Sequence, residues 1–75
     1  MVRVDIIGSS VVDSVGYDEA SRILEVGLPA GWYYYHDVPK RIFDWFVEAS
    51  SAGSFYNTYV KGQYDIDGPW AVPQH

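Results

Sequence analysis

The chain has 75 residues, no cysteine, two histidines (His36 and His75) and a formal net charge of −5. That length allows one domain with a modest core, the missing thiols exclude a disulfide framework, and two histidines alone cannot close a structural zinc site. Arg3, Arg22, Lys40, Arg41 and Lys61 stand against ten Asp and Glu, which weighs against the basic stripe needed to track a long polyanion but leaves a short ligand with a few phosphates within reach.

Residues 2–7, Val-Arg-Val-Asp-Ile-Ile, begin with period-2 alternation and predict a short strand, broken by Gly8-Ser9-Ser10. Val11 and Val12 resume the apolar pattern, and Val15-Gly16-Tyr17-Asp18-Glu19 reads as a strand running into a turn with Ser21. From Ile23 to Leu28 the alternation predicts a strand that buries Leu24, Val26 and Leu28 and faces Glu25 to water. Pro29-Ala30-Gly31 is a second turn, and Trp32 to Asp37 is a further strand rich in residues suited to a pleated surface.

Val38-Pro39 switches the period. Proline suits the first helical position because its missing N–H would be unpaired there, so a helix is expected from Pro39. Ile42, Phe43, Phe46, Val47 and Ala49 fall on or near one stripe of it, with Lys40, Arg41, Asp44 and Glu48 on the other face and a Lys40–Asp44 pair four residues apart. Asp37 just ahead suits the positive helix end. Ser50-Ser51-Ala52-Gly53 is expected to end the helix, with Gly53 in the left-handed conformation. Phe55, Tyr56, Tyr59, Val60 and Tyr64 recur at spacings that favour a second short helix. Residues 65–75, punctuated by Gly68, Pro69 and Pro73, are expected to be an irregular tail anchored by Trp70. The fold class is therefore α+β: one domain over residues 1–75, with a small antiparallel sheet of three to four strands packed against one main helix and a shorter one. No stretch approaches the roughly 20 apolar residues of a membrane span, and Met1 to Gly8 lacks the pattern of a signal peptide. A cytoplasmic protein is expected.

Taken in order, Ser9-Ser10 with Val12, Gly16-Tyr17-Asp18, Leu24 and Val26, then Gly31, Tyr33 and Tyr35, and then Val38-Pro39 make the chain resemble a KTSC domain. Ala49, Ser51, Gly53, Asn57, Val60, Lys61 and Tyr64 continue the resemblance, which spans about residues 4–64. The family is named for the C-terminal extension of some lysyl-tRNA synthetases and also occurs as short stand-alone bacterial and phage proteins. The resemblance implies RNA binding.

Seven Tyr, three Trp and three Phe are more ring surface than so short a chain can hide, and exposed rings belong to interfaces or stacking sites. In an extended strand Tyr33 and Tyr35 share one face while Trp32 and Tyr34 take the other. One pair can fill the core and the other a subunit interface; alternatively, one pair walls a base-stacking site. Lys40 and Arg41, on the first helical turn, are the candidate phosphate contacts. Ser9 and Ser10 offer hydroxyls to a ligand or close a local turn. Asn57 and Lys61, four apart on the second helix, can face a ligand together, and Tyr17 joins the candidates as one of the residues carrying the resemblance.

Neither catalysis nor a metal is expected. His36 and Asp37 are adjacent on a strand and point to opposite faces, and Asp65, Asp67 and Gly68 lack the distal glutamate of a calcium loop. No cofactor is implied. The expected function is non-enzymatic binding of a nucleotide-type ligand. That ligand is RNA, as the family suggests, or a small or cyclic nucleotide signal sequestered by a homo-oligomer, a role suited to a phage anti-defence protein. The rival is a protein–protein interaction module that uses the exposed aromatic patch.

Overall fold

The computed structural model describes residues 2–6 and 9–70. Its elements are β1 (Val2–Asp5), β2 (Ser14–Asp18), β3 (Ile23–Leu28), β4 (Gly31–Tyr35), α1 (Lys40–Glu48), α2 (Ala52–Phe55), a π-helical turn (Tyr56–Val60) and β5 (Ile66–Trp70). The strands form one antiparallel sheet in the order β1-β2-β3-β4-β5. Each strand thus lies beside its sequence neighbours, and both helices are an excursion made between β4 and β5.

The alternation of small hydrophobes decides which face the helices cover. Register places Val4, Val15, Val26 and Tyr33 in one row and Tyr17, Leu24, Tyr35 and Ile66 in the next. Val15, Leu24, Val26 and Tyr35 are buried with Val12, Val38, Phe46 and Val60, and this set is the core. From α1, Ile42, Phe43 and Phe46 enter the same core. Phe43 stacks on Tyr17 at 5.6 Å, and the Tyr17 hydroxyl donates to the Val38 carbonyl at 2.6 Å, which ties the start of α1 to β2. Pro39 is the cap residue and Lys40 the first helical one, so the helix opens one residue later than the sequence suggests. The Lys40–Asp44 pair forms at 3.1 Å on the solvent side, as its spacing predicts.

Hairpin chemistry follows local rules. Asp18 closes the β2–β3 turn by accepting from Ala20 N at 3.2 Å and from the Ser21 hydroxyl at 2.9 Å, and Arg22 takes φ 58° to complete it. Arg22 and Asp37, another residue at positive φ, then pair at 3.2 Å. Pro29-Ala30 turns β3 into β4, where Gly31 supplies φ 139°.

Four expectations are corrected. The sheet has five strands, because residues 66–70 are not an irregular tail: they return along β4, with Tyr35 opposite Ile66 and Tyr34 opposite Asp67. The register shifts between Trp32 and Tyr34, a bulge that accommodates Gly68 at φ 118° and a proline, which has no N–H for the ladder. Residues 71–75, the Trp70 side chain as an anchor, and Ile7 and Gly8 at the first break lie outside the described residues.

Gly53 does not end α1. That helix stops at Ala49, Ser51 caps α2 by accepting from Ser54 N at 3.3 Å, and Gly53 sits in the new first turn. It permits a close approach there, since a Cβ would stand 3.2 Å from Val11 Cγ2.

Glu25 points away from the helices, as alternation requires, yet it does not face water. Gly16, its partner on β2, and Gly27, two residues on along β3, leave room on that face, and the Glu25 side chain is only 4% exposed. Arg3 reaches over from β1 to pair with the carboxylate, and its guanidinium lies 4.8 Å from the centre of the Trp32 ring. The ring in turn fills the space above Gly27, where a Cβ would come within 3.0 Å of it. The sheet face that lacks helices is covered here by its own charged and aromatic side chains.

Arg3→Ala is expected to leave a buried carboxylate without its partner and to cost about 1–3 kcal/mol, read as a lower urea midpoint. Adding Glu25→Gln should recover part of the loss. An unchanged midpoint in Arg3→Ala would show that water already solvates Glu25.

Candidate functional site

Along β4, from the β3–β4 turn to Tyr35, the helical layer and the strands part to leave a cleft of about 570 Å³. Ser10, Tyr33, Tyr35, Asn57 and Lys61 line it with Val11, Leu28, Pro29, Ala30, Tyr56, Gly62 and Ile66. Half of the expected ligand residues therefore come together from three separate parts of the chain.

Each is placed by a definable local cause. On β4, Tyr35 is fully interior and Tyr33 is half-buried beside it, with ring centres 6.4 Å apart. Across the cleft the helix widens by one residue: Lys61 N donates to the Tyr56 carbonyl at 2.8 Å, five residues back. This wider turn buries Tyr56 and Val60 and leaves Asn57, Thr58 and Tyr59 exposed. The Tyr56 hydroxyl meets that of Tyr35 at 2.6 Å, which fixes the turn against β4. Opposite, Ser9 accepts from Val11 N at 3.2 Å and Val12 N at 3.1 Å. That small turn buries Val12 and lays the segment carrying Ser10 along the cleft. Ser9 thus performs its local, turn-closing role. It lines a neighbouring cleft of about 530 Å³ that shares Ser10, Val11 and Asn57 with the first.

Electrostatically the cleft offers one cation. Among the described residues Arg3, Arg22 and Lys40 are paired with Glu25, Asp37 and Asp44. Arg41 and Lys61 have no acidic partner among the described residues, and of these Lys61 lines the cleft. Burial, and then the bond to Tyr56, hold the Tyr35 phenol far above the ordinary tyrosine range, so it stays neutral.

Tyr17, Trp32, Lys40 and Arg41 lie elsewhere. Tyr17 is a core residue whose hydroxyl is engaged by Val38, and its own ionisation is also pushed up by burial. Trp32 is on the opposite sheet face under Arg3. Lys40 and Arg41 are exposed on the first turn of α1 and do not line the cleft, so they do not combine with Tyr33 and Tyr35. His36 pairs with Asp67 on β5 at 2.6 Å, in an exposed position, rather than with Asp37.

Two exposed rings, Trp45 and Tyr59, were not among the expected site residues. Trp45 had a legible signal: it is four residues after Arg41 and three before Glu48, on the charged face of α1. Tyr59 had none, because its outward direction follows from the π-helical turn.

Residues 8–64 match the family model of the KTSC domain. A protein of Tsukamurella paurometabola is 37% identical over 59 residues, covering 77% of this chain and 88% of the relative. An uncharacterised protein of Stutzerimonas stutzeri is 39% identical over 57 residues, covering 75% of this chain and 80% of its own length. The crystal structure of a KTSC domain protein from Yersinia pestis superposes with a TM-score of 0.83 at 34% identity, over 88% of this chain and 93% of that one. Among the described residues no helix is long and apolar enough to cross a membrane.

Because Tyr35 ionises well above the tyrosine value of 10.0 in the fold but at that value when unfolded, the unfolded chain loses its proton first. Stability should be unaffected by this group below pH 10 and fall as pH rises beyond it, with the Tyr35 ring resonance shifting to its tyrosinate position in step with unfolding. If the Tyr35 phenol ionised with the fold intact, the buried phenol pair would be wrong.

Proposed function

The chain belongs to the KTSC domain family, and from that premise we propose that it binds a small nucleotide-type ligand in the Tyr33 cleft and releases it unchanged. The observation that carries this reading is the pair Asn57 and Lys61. Most other residues behind the resemblance are occupied inside the fold, where Tyr17, Tyr35 and Ser51 make hydrogen bonds, Ser9 closes a turn and Gly53 permits Val11 to approach. Asn57 and Lys61 are exposed on the cleft and, among the described residues, neither side chain is held by a hydrogen bond or ion pair.

Roles follow from chemistry. Tyr33 supplies a ring against which a base can stack, worth roughly 1–3 kcal/mol. Asn57 carries both a donor and an acceptor for a base edge or sugar. Lys61 is the point charge for a phosphate. Gly62 adjoins it at φ 78°, and a Cβ there would meet nothing within 4 Å, so the backbone is open to a phosphate as well. A cleft of about 570 Å³ has the size of a small-molecule site. One lysine in a chain of charge −5 favours a free nucleotide over a long RNA. Binding without turnover is what a sequestering protein does, including one that removes a nucleotide signal on behalf of a phage, and self-association would multiply the sites.

Titration with mononucleotides, cyclic dinucleotides and tRNA, followed by melting temperature, tests the reading. A small nucleotide is expected to raise Tm, with Tyr33→Ala lowering affinity about fivefold to a hundredfold and Lys61→Ala removing most of the salt dependence. A response to tRNA alone, or nucleotide binding indifferent to Tyr33→Ala, would overturn it.

A further inference from the structure

A second surface lies on the outer side of the helical layer and shares no lining residue with the nucleotide cleft. The wet face of α1 presents Trp45, 53% exposed, with Glu48 one turn further on. The second helical segment presents Phe55 and Tyr59, the latter also 53% exposed, with ring centres 4.9 Å apart. These four residues, with Ala49 as floor, line an open groove of about 380 Å³. Phe55 is backed by Phe46 of the core at 5.1 Å, which gives that wall a fixed position. Trp45 stands outside the core cluster, so packing does not account for it.

The chemistry of the groove selects its occupant. Three electron-rich ring faces beside a carboxylate attract a cation. Among the described residues Glu48 has no ion pair, and the chain carries a net charge of −5, so a basic partner is drawn to it. An apolar plug would cover the rings but would also desolvate Glu48 without a counter-charge, a costly arrangement. A guanidinium meets both demands: its plane stacks on a ring and its fork of N–H donors fits a carboxylate, whereas an ammonium does only the second well. We infer that the groove formed by Trp45, Glu48, Phe55 and Tyr59 receives an arginine side chain from a basic segment of a partner protein.

The test titrates the full chain with a short capped arginine–glycine peptide, following the Trp45 indole resonance, and compares it with the same peptide carrying citrulline or lysine. Saturable binding is expected for arginine, weaker binding for lysine and at least tenfold weaker binding for the neutral citrulline form. Trp45→Ala and Tyr59→Ala should each lower affinity about twofold to thirtyfold, and Glu48→Gln should remove most of its salt dependence. Both Trp45 and Glu48 are exposed, so their variants are expected to stay folded, with circular dichroism as the check. Equal affinity for citrulline would overturn the inference, as would an unmoved Trp45 resonance. Sedimentation showing that the groove is already filled by Arg41 of a second copy, with Arg41→Ala dispersing that assembly, would also overturn it.

Discussion

Two phenol groups, Tyr35 on the sheet and Tyr56 on the helical layer, meet 2.6 Å apart inside an otherwise apolar core. Neither hydroxyl is compatible with burial on its own; each is the other's partner. The bond is directional where the surrounding hydrophobic contacts are not, so it selects one placement of the π-helical turn against β4. Asn57 follows Tyr56 directly, and Lys61 closes the same turn through its N–H to the Tyr56 carbonyl. The distance between the Tyr33 ring and the polar groups facing it is therefore set from within the core.

A similar economy governs the two faces of the sheet. One face receives both helices because Val15, Val26, Leu24 and Tyr35 lie in register across β2, β3 and β4. The other has no second layer, and in a domain this small an acidic side chain there would ordinarily point into water. Gly16 and Gly27 change that outcome: with no side chains of their own, the first leaves space beside Glu25 and the second space for the Trp32 ring, while Arg3 bridges the carboxylate and that ring. Trp32 is thereby engaged in covering the sheet, and Tyr35 in filling the core. Ring surface left over appears in two places, the Tyr33 cleft and the groove of Trp45, Phe55 and Tyr59, which lie apart and differ in chemistry. The first pairs a ring with a lysine and suits an anion; the second pairs rings with a glutamate and suits a cation.

Much of the scaffold was legible because short-range rules wrote it. Period-2 alternation located β3, residues suited to a pleated surface located β4, and Val38-Pro39 located the start of α1 to within one residue. Asp18 and Pro29 marked the turns, and the four-residue spacing of Lys40 and Asp44 gave their pair. Of the candidate ligand residues, Ser10, Tyr33, Tyr35, Asn57 and Lys61 share one cleft. A helix N-terminus suits phosphate, which points to Lys40 and Arg41, and sequence spacing cannot show that this terminus lies outside the cleft. The final strand was missed for a related reason. Gly68 and Pro69 weigh against a strand locally, and only the ladder along β4, with its bulge, makes an extended conformation favourable there.

By itself the sequence determined the fold class, the family resemblance, the inward and outward sides of the central strands and the surplus of aromatic surface, since each depends on the identities of residues close together in the chain. Tertiary structure alone decided that Glu25 is covered, that Gly53 serves Val11 rather than a helix end, that residues 66–70 complete the sheet and which rings remain open. Those outcomes depend on contacts between distant segments, where one missing Cβ or one buried hydroxyl pair outweighs the local preference of the residues concerned.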